Sequence, residues 1–222
     1  MVMMSIIIQI KNIMFSLQYN KVKMILFNCS DDYILEDERV MLRPLQEDDI
    51  ANLLTFSLEE PDLWKYSSVS GAGEEALKKY LEYALVAKLQ GKEYPFIVFD
   101  KSLKEYAGST RFYDINLLHS SLQLGYTWYG KRFQRTGLNR HCKYLLLSFA
   151  FEQLGLERVE FRADNNNTRS INAMKAIGCQ VEGVLRSHMP KREGGRRDSI
   201  ILSILKEEWY SITKENLRRK IY

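Results

Sequence analysis

The segment KRFQRTGLN at residues 131–139 joins a strand-like run at residues 122–129 to an amphipathic helix expected over about residues 138–154. A strand that passes into a helix through so short a turn ends beside that helix's first turn, so this junction ties sheet and helix together. Gly137 permits a positive φ and lets another molecule approach the backbone closely. The first amides of a helix have no intrahelical acceptor and point toward an anion. Lys131, Arg132, Arg135 and Arg140 add charge of the matching sign. The junction reads as a phosphate cradle; a glycine that only relieves a turn is the plainer alternative.

Residues 39–45 alternate well enough for a strand, with Pro44 marking an edge or an exit into a turn. Ile50, Leu53, Leu54 and Phe56 recur at helical spacing within residues 46–57. Pro61 interrupts the next stretch, and Leu77, Tyr80, Leu81, Ala84, Leu85 and Leu89 outline a second helix that ends at Gly91. Residues 95–99 and 105–112 read as paired strands, and residues 122–129 as a central one. Residues 158–162 form a further strand and residues 170–177 a helix stopped by Gly178. The last strands, 180–185 and 199–205, are joined by a basic turn at residues 191–197. The order is β-α-α-β-β-β-α-β-α-β-β followed by a polar C-terminal helix, an α+β arrangement with helices covering a mixed sheet.

At 222 residues, 45% hydrophobic and 27% charged, the chain suits one sizeable core with a tail better than two domains. A net charge of +4 permits attraction to a polyanionic ligand but falls short of the bias of a dedicated nucleic-acid binder. Cys29, Cys142 and Cys179 are odd in number and lack C-x-x-C spacing, so neither a disulfide framework nor a zinc site is expected and a reducing cytoplasm is the default. His119, His141 and His188 form no metal-ligand pattern, and no metal is expected. Residues 1–15 are apolar but include Lys11, lack a basic leader region and are too short to span a bilayer, so no membrane partner is expected.

Gln134, Gly137 and Asn139 give the spacing Q-x-x-G-x-N, close to the Q/R-x-x-G-x-G/A signature by which the GNAT superfamily of N-acetyltransferases binds the pyrophosphate of acetyl-CoA. Further on, Asn167 with Ser170, Lys175 with Gly178, and Glu182, Gly183 and Arg186 resemble the N-x-x-S, K-x-x-G-F, E-G-x-x-R succession of the RimJ/RimL-like branch, which includes the acetyltransferases of ribosomal-protein N-termini. Arg39 to Leu45, followed by Asp48 and Asp49, resembles that branch's first strand and helix start. The three ordered matches cover roughly residues 35–210.

The resemblance implies the GNAT fold, a mainly antiparallel sheet with a splayed central strand and helices on both faces. It divides the chain into an N-terminal extension at 1–33, an acetyltransferase domain at 34–210 and a basic helical tail at 211–222. Met24 stands shortly before the matching region, so residues 1–23 are expected to be an upstream extension or a misplaced start.

The implied activity is acetyl transfer from acetyl-CoA to a primary amine by direct attack in a ternary complex. Gln134, Arg135, Thr136, Gly137, Leu138 and Asn139 would hold the pyrophosphate, with the helix dipole adding attraction. Tyr126, Thr127 and Trp128 would pair with the pantetheine arm, although the Tyr126 and Trp128 side chains read equally as sheet core. Asn167 would bind that arm and Ser170 would lie near the sulfur, while a plain helix-capping role for Asn167 stays open. Met174 stands where other members carry a proton-donating Tyr, which leaves Ser170 as candidate donor; Gln123 stands where a Glu often deprotonates the amine, and has no useful basicity. Glu160 is a more distant candidate base, or an exposed strand residue.

The acceptor pocket is expected between the first two helices and the last two strands. Glu59, Glu60 and Asp62 would attract a cationic amine and Trp64 and Tyr66 would form an apolar wall, or the acids are solvated loop residues. The turn with Lys191, Arg192, Arg196 and Arg197 would bind an acidic substrate or nothing. The acceptor is a protein N-terminus or a small-molecule amine, and the chain a monomer or homodimer. Two other readings stand beside this: an acyl-CoA-binding sensor without turnover, suggested by Gln123 and Met174, and RNA association through the basic residues.

Overall fold

Val40, Leu42 and Pro44 are buried while Met41 and Arg43 between them are partly exposed, the alternation of a strand with one covered face. The short β1 (Leu35–Glu36) pairs with this strand, β2 (Val40–Pro44), and helices α1 (Ile50–Glu59) and α2 (Glu74–Leu89) follow. Strands β3 (Tyr94–Asp100), β4 (Glu105–Asn116) and β5 (Ser121–Tyr129) form an antiparallel meander. Helix α3 (Leu138–Ser148) leads to β6 (Arg158–Asp164), and α4 (Thr168–Ala176) to the hairpin β7 (Gln180–Pro190) and β8 (Arg196–Leu205). The computed structural model describes residues 27–221; the proposed extension at residues 1–23 lies outside them.

The eight strands form one sheet in the order β1-β2-β3-β4-β5-β6-β8-β7, antiparallel except for the parallel pair β5–β6. Helices cover both faces. Phe112 of β4 stacks on Phe149 just past α3, ring centroids 6.2 Å apart, whereas its neighbour Arg111 lies under the Tyr80 ring of α2. Arg111 is fully buried and paired with Glu93 at 2.7 Å. On the α3 side, His141 Nδ1 lies 2.7 Å from Asp37 Oδ2, and Asp37 Oδ1 accepts the amides of Arg39 and Val40, clasping α3 to the turn before β2.

The expected order of elements is present, with β1 added. Helix α3 is α-helical to Ser148 and continues as a π-helical turn, Phe149–Gln153, in which consecutive Phe149, Ala150 and Phe151 are all buried. The last hairpin is longer than residues 180–185 and 199–205: its ladder runs on to Met189 opposite Arg197 and Pro190 opposite Arg196. Gly194 and Gly195, both at positive φ, close so tight a turn that the ladder extends into what the sequence reads as loop. The C-terminal helical stretch is not polar all round. Trp209, Thr213 and Leu217, spaced by four, are buried, and Glu152 accepts from both Trp209 Nε1 and Lys214 Nζ.

Candidate active site

Ser121, Leu122 and Gln123 of β5 pair with Arg158, Val159 and Glu160 of β6, and there the parallel ladder ends. Because β5 stays with β4 as far as Tyr129 and β6 stays with β8 as far as Asp164, the two halves of the sheet part beyond Gln123 and Glu160. The register between β4 and β5 slips between Ser109 and Arg111, and Tyr126 in the bulge takes φ +48°. Such a bulge leaves main-chain groups without ladder partners, so an extended ligand laid in the opening can bond to β5 as a strand would. Trp128 and Tyr126 face the α1/α2 side: Trp128 packs on Phe56 and Trp64, and Tyr126 lies under Arg111. Their side chains serve as packing. Burial pushes the Tyr126 phenol up to about 12, so it stays protonated.

At the mouth of the opening lies the 131–139 turn. Arg135 and Gly137 both take positive φ, +64° and +92°, and a Cβ on Gly137 would meet nothing within 4 Å. The glycine therefore serves backbone conformation and an open face, not internal packing. The amides of Arg135, Thr136, Gly137 and Asn139 donate to no acceptor among the described residues, and the Leu138 amide has only a long contact, 3.4 Å, to Thr136 Oγ1. Thr136 and Gln134 brace the turn from behind: Thr136 Oγ1 donates to Phe133 O at 2.8 Å and Gln134 Nε2 to Tyr129 O at 2.8 Å. Exposed Lys131, Arg135 and Arg140 form no ion pair among the described residues, whereas Arg132 is paired with Glu105. Free donors, a helix N-terminus and uncompensated cations fit a diphosphate.

The opposite wall is α4. Asn167 caps this helix, its Oδ1 accepting the Ser170 amide at 3.1 Å, so the capping role is real and leaves its Nδ2 free to face a ligand. Ser170 is half-buried in the first turn, and Met174 one turn on is buried. Arg169 of the same turn donates to Gln134 Oε1 at 2.8 Å, which joins α4 to the cradle.

Sequence reasoning missed Lys143. Its ammonium is buried under β5, donating to Thr127 Oγ1 at 2.9 Å, and Thr127 Oγ1 lies 2.7 Å from Thr110 Oγ1. Burial lowers its pKa from 10.5 to about 8. The signal was available: Lys143 falls on the same face of the helix as Leu146, Leu147 and Ala150, at intervals of three, four and seven residues.

Residues 39–180 match the Acetyltransferase (GNAT) domain family, a span that holds the cradle, the parted strands and α4. The chain belongs to the GNAT acetyltransferases. It is 26% identical over 176 residues to the uncharacterized N-acetyltransferase p20 of Bacillus licheniformis, covering 79% of this chain and 97% of that one. It is 25% identical over 175 residues to Bacillus subtilis (strain 168) YdaF, assigned as a ribosomal N-acetyltransferase, covering 76% and 91%. A crystal structure from T. thermophilus, assigned as an acetyltransferase, is 33% identical with a TM-score of 0.77, covering 87% of this chain and 99% of that one. These likenesses agree with the RimJ/RimL-like branch. As a GNAT enzyme the chain transfers an acetyl group from acetyl-CoA to an amine, which sets the sensor reading aside.

At the closed end of the GNAT opening, Gln123 is buried, with Nε2 donating to Asp114 Oδ2 at 2.8 Å and Oε1 without a partner among the described residues. Glu160 is neither distant nor exposed: it is the register partner of Gln123, with a side chain 17% exposed. Arg158 and Arg162 hold its two oxygens at 3.0 and 2.7 Å, which occupies the carboxylate.

On the acceptor side the solvated-loop alternative fits the acids, while Trp64 lies deeper than expected. Trp64 is 1% exposed, packed at a tilt against Trp128 and covered by Gly71, so its ring does not line the pocket. Glu60 Oε2 accepts the Lys131 amide at 2.7 Å, while Glu59 and Asp62 are exposed and outside the pocket. Tyr66 does line it, beside Lys65, Lys191, Arg192 and Arg197. Pro61 starts a 3₁₀ turn that buries Trp64 and leaves Asp62 exposed. No helix among the described residues is long and apolar enough to cross a membrane.

Proposed function

We propose that acetyl-CoA binds across the opening between β5 and β6, that the acceptor amine enters from the α1/α2 side, and that transfer is direct. The observation that carries this reading is that the amides of Arg135, Thr136, Gly137 and Asn139, at the start of α3 and beside strands that part, have no acceptor among the described residues. Acetyl-CoA supplies the acetyl group as a thioester and leaves as a thiol.

The chain's own groups take distinct roles. Arg135 to Asn139 hold the diphosphate, with Gln134 bracing the turn; the β5 main chain at Tyr126, Thr127 and Trp128 orients the arm; and Asn167 Nδ2 binds it from the other side. Ser170 donates the proton that the departing sulfur needs. Asp114, fixed by Gln123, offers the carboxylate that Gln123 lacks, and Asp114→Asn should lower kcat at least tenfold; full activity would remove it. No cysteine relay is needed: Cys142 and Cys179 are both buried, Cys142 pushed up to about 12 by burial and Cys179 higher still, so neither offers a thiolate. Buried free thiols suit a reducing cytoplasm, where we place the chain. The acceptor is a protein N-terminus or a small amine.

Calorimetric titration with coenzyme A, followed by a thiol-release assay over amine classes, tests the reading. Saturable binding that Gly137→Trp removes, with thiol released by one acceptor class, is expected; absence of coenzyme binding would overturn it.

A further inference from the structure

Four cations converge on the side where the sequence offered both an acidic loop and a basic turn. A cavity of about 130 Å³ lies between the segment after α1, the β6–α4 turn and the tip of the β7–β8 hairpin. Lys65, Lys191, Arg192 and Arg197 line it, against the carboxylates of Asp164 and Glu193. Asp164 is buried and spends Oδ1 on the Asn166 amide at 2.9 Å. The arginines are fixed by neutral partners: Arg192 Nη2 donates to Trp64 O at 2.7 Å and Arg197 Nη1 to Tyr66 O at 3.2 Å. None of the four cations forms an ion pair among the described residues.

Like charges gathered around a small concavity repel one another and raise the local positive potential, and an anion relieves that repulsion through charge-assisted hydrogen bonds. The cavity exceeds by several times the space one water occupies, enough for a carboxylate group. Its floor matters as well. Asp164 and Asn166 line it, and the next residue in the chain, Asn167, caps α4 and bonds the Ser170 amide. A group held here is therefore one turn of chain from the proposed proton donor.

We infer that the acceptor is a peptide whose N-terminal amine is followed closely by an acidic side chain, the carboxylate seating among Lys65, Lys191, Arg192 and Arg197 while the amine reaches the thioester. This rests on the acceptor side proposed above and names its substrate class.

The test measures affinity for N-acetylated product peptides, which need no turnover, with acidic, neutral or basic residues after the first position. Binding is read by fluorescence on the free chain and on the coenzyme A complex. The acidic peptide should bind at least tenfold more tightly than the neutral one. The charge reversals Lys65→Glu and Lys191→Glu together should erase that ratio and leave coenzyme affinity unchanged; neither ammonium makes a hydrogen bond or ion pair among the described residues, so circular dichroism should match the parent. Equal or tighter binding of neutral or basic peptides would overturn the inference, as would a ratio that survives the reversal. A loss confined to coenzyme affinity would also overturn it, by assigning the pocket to the coenzyme's ribose phosphate. Failure of coenzyme A to bind the parent chain would defeat the reading of the cradle, while the peptide ratio on the free chain still decides the pocket.

Discussion

Arg169 Nη1 donates to Gln134 Oε1 at 2.8 Å, and Gln134 Nε2 donates to Tyr129 O at 2.8 Å, so one side-chain amide spans the end of β5, the cradle turn and the first turn of α4. This bridge crosses the mouth where the two halves of the sheet part. Arg169 is exposed, and an exposed contact of this kind is worth less than about 1 kcal/mol to the fold. Its effect on a ligand is larger, because the loop meets the ligand already ordered. Arg169→Ala should weaken coenzyme A binding about threefold to tenfold with hardly any change in thermal unfolding. Calorimetry decides it, and unaltered affinity would remove Gln134 and Arg169 from the bracing of the cradle.

Gly137 sits at φ +92° with open space where a side chain would begin. A tryptophan there would be strained by about 1–2 kcal/mol and would stand in front of the free amides. Gly137→Trp should therefore lose coenzyme binding by calorimetry while keeping its circular dichroism spectrum, with a melting point a few degrees lower. Wild-type affinity in this variant would place the diphosphate elsewhere.

The strand and helix order was legible because Val40, Leu42, Leu77, Tyr80, Leu146 and Phe149 repeat at the period of the element that carries them, and periodicity survives without tertiary contacts. The open turn at residues 131–139 was legible for a similar reason: its free main-chain amides and one glycine fall within nine residues. Lys143 was not read, since what matters about it is that its ammonium bonds no carboxylate among the described residues and meets Thr127 and Thr110, sixteen and thirty-three residues away. Which of the two charged segments lines the pocket was not legible, because Glu59 and Asp62 are close in sequence to Tyr66, while Lys191, Arg192 and Arg197 arrive only through the last hairpin. Charge in a pocket is set by which long-range segments meet, and local spacing carries no record of that.

Ser170 offers a hydroxyl in the first turn of α4, and its own amide is already used by Asn167. Removing the hydroxyl leaves this cap intact. Ser170→Ala should accordingly lower kcat about a hundredfold or more, the usual contribution of a positioned proton donor being about 10²–10⁴-fold, and leave coenzyme affinity within about twofold. Steady-state thiol release separates the two. Undiminished turnover would show that solvent supplies the proton and strike Ser170 from the reaction.

Lys143 gives the clearest pH dependence. Burial, with no carboxylate among the described residues bonded to the ammonium, lowers its pKa from 10.5 to about 8. The unfolded chain therefore holds more protons at this residue than the folded chain between about pH 8 and 10.5, and the residue's contribution to stability rises with pH across that window. Below pH 8 the desolvation cost stands in full, and the total swing is on the order of 3 kcal/mol. Lys143→Met removes the charge at similar volume, and Thr110 and Thr127 keep their mutual bond at 2.7 Å, so no hydroxyl is orphaned. The variant should match or exceed the wild type in urea unfolding at pH 7 and fall behind it by pH 10, with the crossover inside the titration window. Other titrating groups are common to both chains and cancel in the difference. A gap between the two that does not change with pH would mean that the folded protein keeps Lys143 charged throughout, and that water reaches the space beneath Thr127.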